Sequence, residues 1–214
     1  MNIFLSRIKK FGAVYGKFKF YLPYSVGLSP KTILDIGIAN DSYLECKLIY
    51  PAANYHGLDC YDDGVEMRGS DEFFLCDLEQ LDALKNLKGS YDLIIVNHVL
   101  EHLFRGADVF SELCNLLTPN GVLYAEFPSI RTAYGRKRLG SYHFHDDLTH
   151  KRFYDLNDLA NKAMENGCAI ISCGPASTLL KNILSIPRAF FKIVRGKEWG
   201  ANLLHISGKI DHIA

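Results

Sequence analysis

The chain has 214 residues, 24 lysines plus arginines against 24 aspartates plus glutamates, and 48% apolar residues. That composition excludes a disordered protein, and the zero formal charge argues against one that coats nucleic acid through bulk positive charge. Its length suits one α/β domain with a sizeable core. The six cysteines, at 46, 60, 76, 114, 168 and 173, form no C-x-x-C pair. Their apolar surroundings predict buried thiols in a reducing cytoplasm rather than a disulfide or zinc framework. No secretion signal is read at the N-terminus, and no apolar run is long enough for a membrane span.

Short β-branched or apolar runs alternate with segments of helical spacing. Lys31–Ile36 reads as a first strand, followed by a helix from Ser42 to Tyr50. Tyr55–Asp59 and Glu72–Cys76 read as the second and third strands, the latter leading into a helix over Leu78–Leu87. Tyr91–Asn97 is a nearly continuous apolar run and predicts a buried fourth strand. A helix carrying Val109, Leu113, Leu116 and Leu117 stops at Thr118-Pro119-Asn120-Gly121, and Gly121–Phe127 forms the fifth strand. Asp155 caps a helix to Asn166, Cys168–Cys173 is the sixth strand, and Asn202–Gly208 a final one after a helical region. Repeated β-α units predict a Rossmann-like three-layer α/β/α sandwich with a mostly parallel, seven-stranded sheet.

Ligands in such sheets sit at the carboxyl ends of the strands, so the strand-end residues carry the information. Gly37 and Ala39, with Ile38 between them, follow strand one and are small enough to let a ligand approach the backbone. Asp59, followed by Cys60, can accept both hydroxyls of a ribose. Asp77 can accept from an exocyclic amine, and Asn97-His98 closes strand four. Carboxylates at three successive strand ends suit a nucleoside without phosphates and would repel a pyrophosphate.

The pieces ILDIGIAND (33–41), YHGLD (55–59), FFLCDLEQL (73–81), YDLIIVNHVLEHL (91–103), LLTPNGVLYAEFPS (116–129) and HDDLTHKRFYDLNDL (145–159) stand in family order. With them the chain resembles the class I S-adenosylmethionine-dependent methyltransferases, in the type 11/23-like branch met in sugar and surface-polysaccharide pathways. The resemblance implies S-adenosyl-L-methionine as cofactor. Asp35, Gly37, Ile38 and Ala39 would flank its methionine moiety, and Asp59 with Cys60 its ribose. Asp77 and Leu78 would face the adenine, with Asn97, His98 and His102 near the sulfonium. The family's usual glycines are replaced by Ala39 and Asp41, which leaves open a member with reduced or lost activity. The implied arrangement is one domain over 1–214, with a basic helical segment at 1–30, a cofactor-binding half at 31–128 and an acceptor-binding remainder at 129–214.

His98-Val99-Leu100-Glu101-His102 also spells the inverted zinc-peptidase pattern H-x-x-E-H. It follows directly on a buried strand, shows no third ligand in the sequence, and has V-L-E-H counterparts in related methyltransferases, so no metal is assigned. The Tyr15/Lys19 and Tyr43/Lys47 pairs match the dehydrogenase spacing Y-x-x-x-K at the wrong place in the fold.

The stretch 129–154 is polar, aromatic and basic, and reads as the acceptor-binding region. His145 and His150 are the candidate bases for a hydroxyl acceptor, the competing reading being that His150 braces the loop. The resemblance implies a small-molecule acceptor, foremost a sugar or glycan hydroxyl. The alternatives are an amino sugar or small amine, and a non-catalytic partner subunit. The basic amphipathic stretch 178–195 and the basic N-terminal segment fit peripheral contact with an inner membrane surface, a cover over the acceptor site, packing against the sheet edge or a homodimer contact. Nucleic acid is not expected as a partner.

Overall fold

The computed structural model describes residues 29–38, 42–61, 70–85, 87, 90–134, 143–175 and 201–209. The basic segment at 1–30, apart from its last two residues, lies outside them, as do Ala39, Asp41, Arg136–Arg138 and the helical reading over 178–195.

Strands β1 (Thr32–Ile36), β2 (Asn54–Asp59), β3 (Glu72–Leu75), β4 (Tyr91–Asn97), β5 (Leu117–Pro128), β6 (Cys168–Pro175) and β7 (Ala201–Lys209) form one seven-stranded sheet. Its order is β3-β2-β1-β4-β5-β7-β6. The pairings β1–β2, β1–β4, β2–β3 and β4–β5 are parallel, and β7 runs antiparallel between β5 and β6. Helices α1 (Ser42–Ile49), α2 (Leu81–Lys85), α3 (Gly106–Asn115), the short α4 (Arg131–Tyr134) and α5 (Leu156–Glu165) connect them.

Alternation along the central strands divides the core in two. Leu34 and Ile36, Ile94 and Val96, and Leu123, Ala125 and Phe127 bury against Val109, Phe110 and Leu113 of α3 and Leu159 and Ala163 of α5. Ile33, Tyr55, Leu93, Ile95, Val122 and Tyr124 form the opposite face with Cys46 of α1. At the amino edge Asp92 ties three strands together. Its Oδ2 accepts from the backbone N–H groups of Lys31 (2.7 Å) and Thr32 (3.2 Å), and its Oδ1 accepts from the Thr118 hydroxyl at 3.1 Å.

Three expectations need correction. The helix expected over Leu78–Leu87 shrinks to Leu81–Lys85, because Asp77 Oδ1 accepts from Glu79 N–H at 3.0 Å and holds a turn there. Helix α3 ends at Asn115, and Leu117 already belongs to β5, paired with Tyr91. The pairing then shifts to Leu93 with Val122, so the T-P-N-G stretch is a bulge rather than a helix stop. Gly121 permits it, since a Cβ there would sit 2.6 Å from Tyr91 O. Finally, the thiols are not uniformly buried: Cys46, Cys114 and Cys168 are, whereas Cys60 and Cys173 are exposed and Cys76 half-buried.

Candidate active site

Parallel pairing brings the carboxyl ends of β1, β2, β3 and β4 to one edge of the sheet, with Gly37, Asp59, Asp77 and His98 following or closing them. Gly37 has φ +66, and a Cβ on it would lie 2.5 Å from Val99 Cγ2. The turn after β1 therefore needs glycine both for its conformation and for its contact with the turn after β4. Ile38 covers Gly57 of β2, where a Cβ would lie 2.8 Å from Ile38 Cδ1.

Asp35 is fully buried and accepts from the Tyr55 hydroxyl at 2.6 Å. Burial, and then the Asp35 carboxylate, push the Tyr55 phenol far above its usual range, so it stays a donor. Asp59 ends β2 half-buried, its Oδ1 accepting from Tyr61 N–H at 3.2 Å. Burial, followed by the adjacent Asp59 carboxylate, raises the Cys60 thiol, which keeps it protonated. Asp77 is exposed, whereas the side chain of Leu78 is 4% exposed and belongs to the core, so of this pair only Asp77 presents its side chain.

The turn after β4 departs from helical geometry. His98 has φ +56, and only Leu100–His102 form a short 3-10 turn. The two histidines of H-x-x-E-H therefore share no helical face, which removes the zinc-peptidase reading. His98 Nδ1 lies 3.0 Å from Glu101 Oε1, and its Nε2 3.5 Å from Glu126 Oε1. Burial alone would lower the His98 pKa, but the bonds to Glu101 and Glu126 outweigh it and raise it to about 9. Glu126 is itself held by the Tyr124 hydroxyl at 2.7 Å. Asn97, paired with Glu126 across the sheet, has a buried Oδ1 without a hydrogen-bond partner.

His102 points elsewhere, its Nδ1 2.9 Å from Thr149 Oγ1 and its ring against that of His150. Residues 143–154 are pinned beside this turn. Lys151 and Arg152 donate their backbone N–H groups to Glu101 O, and the Tyr154 hydroxyl donates to Leu103 O while accepting from Gly106 N–H, the first of α3. Glu79 accepts from Phe104 N–H (2.8 Å) and from Lys151 Nζ (3.1 Å), joining the β3 end to the same cluster. Of the two candidate bases, His145 is exposed, and His150 has only 2% of its side chain exposed, its Nδ1 donating to Phe144 O at 2.7 Å.

Sequence reasoning did not single out Tyr55, Glu126 or Thr149 for the site, and met Glu101 only as part of the H-x-x-E-H pattern. An isolated glutamate inside the apolar run of β5 was the available signal for Glu126, because a buried acid needs a partner. The others act through contacts that pairing and packing create.

The arrangement sets carboxylates at strand ends two and three and polar side chains at the end of strand four. The profile of the family described as "Methyltransferase domain" matches residues 11–173. No curated protein is significantly similar to the chain. Among solved structures, an S-adenosylmethionine-dependent methyltransferase from Archaeoglobus fulgidus superposes with a TM-score of 0.65 at 17% identity, covering 93% of this chain and 94% of that one. One from Mesorhizobium loti gives 0.62 at 18% identity, covering 87% and 97%. The N-methyltransferase NodS from Bradyrhizobium japonicum WM9, in complex with S-adenosyl-L-homocysteine, gives 0.58 at 12% identity, covering 90% and 85%. At these identities the likeness to solved structures speaks for the fold, and the profile match supplies the family. The chain belongs to the methyltransferase domain family and is an S-adenosylmethionine-dependent methyltransferase.

Proposed function

We propose that the methyl group is delivered to a hydroxyl of a sugar or a glycan intermediate. The observation that carries this reading is an aromatic and imidazole surface beside the strand ends. Tyr134, 82% exposed, stacks on Phe153 with ring centroids 6.5 Å apart and planes at 25°. Phe144 packs on the same Phe153 at 3.6 Å, and the exposed His145 stands edge-on to both phenylalanines. An exposed ring offers an apolar face to the C–H side of a sugar. Imidazole and carboxylate groups, here His145 with Asp146 and Asp147, suit its hydroxyls.

Methyl transfer is an in-line displacement: the acceptor oxygen forms a bond to the methyl carbon as the carbon–sulfur bond breaks, leaving S-adenosylhomocysteine. Positioning supplies much of the rate, and a base is needed to take the hydroxyl proton. His145 is our candidate base, since an exposed imidazole can reach a bound hydroxyl. His150, buried and tied to Phe144 O, suits a bracing role better.

The test is transfer of a labelled methyl group to a panel of nucleotide sugars, oligosaccharides and amines, with the product methyl located by NMR. An O-methyl sugar product is expected, and His145→Ala should lower kcat roughly 100- to 10,000-fold with S-adenosylmethionine affinity unchanged. Methylation of amines alone would replace this reading by N-methyl transfer. Full activity of His145→Ala would remove the base.

A further inference from the structure

Glu101, His102 and His150 each offer one atom able to ligate a metal ion, and these three atoms lie within 4.8 Å of one another. Two of these residues come from the turn after β4 and the third from nearly fifty residues along the chain, so only folding assembles the set. Glu101 is 1% exposed, and its Oε2 has no hydrogen-bond partner, Oε1 alone meeting His98. A buried carboxylate oxygen left without a donor is costly unless a cation completes it.

In both histidines the surroundings engage Nδ1. His150 Nδ1 lies 2.7 Å from the carbonyl of Phe144, which can only accept, so this nitrogen carries the proton. The Thr149 hydroxyl donates to Asp147 Oδ1 at 2.6 Å, which leaves Thr149 Oγ1 to accept from His102 Nδ1 at 2.9 Å. In each ring the lone pair is thereby placed on Nε2. Metal-bound histidines are commonly held this way, the second ring nitrogen donating to a carbonyl or another oxygen. Ligands around a tetrahedral ion lie roughly 3.3 Å apart, so atoms within 4.8 Å of one another would have to draw together around an ion.

We propose that Glu101, His102 and His150 bind a divalent transition-metal ion that fastens the acceptor segment to the turn after β4. Two imidazoles and one carboxylate suit Zn²⁺ or Co²⁺ better than Mg²⁺ or Ca²⁺. Asp147, whose Oδ2 lies 3.7 Å from His150 Nε2, is a further carboxylate beside the set. The ion takes no part in the displacement step, and its binding is independent of which acceptor is methylated.

The test uses the full chain after chelator treatment, titrated with Zn²⁺ by calorimetry and with Co²⁺ by visible absorption. One ion per chain is expected, with a Co²⁺ spectrum typical of four or five coordination and a higher Tm in Zn²⁺. His102→Ala, His150→Ala and Glu101→Gln should each weaken binding at least tenfold and lose the Tm rise, and the control His145→Ala should keep both. Absence of binding by the wild type would overturn the proposal, as would Zn²⁺ held equally by folded His102→Ala and His150→Ala chains. Should those variants not fold, the wild-type Co²⁺ spectrum decides: six-coordinate, water-like bands would refute the site.

Discussion

Among the described residues, His98 is the non-glycine position with positive φ, a conformation that costs energy for a residue with a Cβ. Its imidazole is held between Glu101 and Glu126, and that pair raises its pKa to about 9 despite partial burial. The pKa of an unfolded histidine is about 6.5, so the linkage has a definite sign. The charged His98 stabilises the fold fully below that value, and the contribution disappears as pH rises through about 9. The stability difference between wild type and His98→Gln, followed by urea denaturation, should therefore be largest near pH 6 and shrink by pH 9.5. Because 44% of the side chain is exposed, solvent screens the effect, and its pH course is the quantity to measure. A difference that stays constant or grows with pH would show that His98 is neutral in the fold. The sequence marks His98 through its place after strand four. Its two carboxylate partners depend on a 3-10 turn and on strand pairing, neither of which leaves a local signature.

At the level of elements, strands were legible where an apolar run met a turn signal, as at Tyr91–Asn97, where expected and observed limits coincide. Helix α5 was legible through its cap: Asp155 accepts from Asn157 N–H at 2.8 Å, with extended backbone at the cap itself. Asp155→Ala should cost about 1 kcal/mol of unfolding free energy, measured by urea denaturation with an unchanged m value. A loss below a few tenths would mean that α5 is held by its buried face of Leu159, Ala160 and Ala163 alone. Boundaries were misread where side chains outside the element set them. Asp77 shortens α2 through its own turn, and the hydrogen bond from Thr118 to Asp92 draws the segment after α3 into the sheet. Apolar spacing at Leu116 and Leu117 fits either state, and tertiary pairing with Tyr91 decides between them.

Across the whole molecule the zero charge resolves into unequal parts. Residues 1–34 carry six basic groups and no acid, 35–168 carry 12 basic and 22 acidic groups, and 169–214 carry six and two. The acidic middle contains every candidate site residue from Asp35 to His150, which suits a sulfonium nucleoside. Mostly parallel β-α architecture followed from the alternation of elements. The insertion of antiparallel β7 between β5 and β6 did not, since strand order is a property of long-range pairing. We propose that the cofactor's nucleoside seats at the strand ends, with its ribose on Asp59. Calorimetric titration of wild type and Asp59→Ala with S-adenosylhomocysteine tests this most directly. Tight binding by the wild type and a roughly ten- to hundredfold loss in the variant are expected. No binding by the wild type, or equal affinity in a folded Asp59→Ala chain, would contradict it.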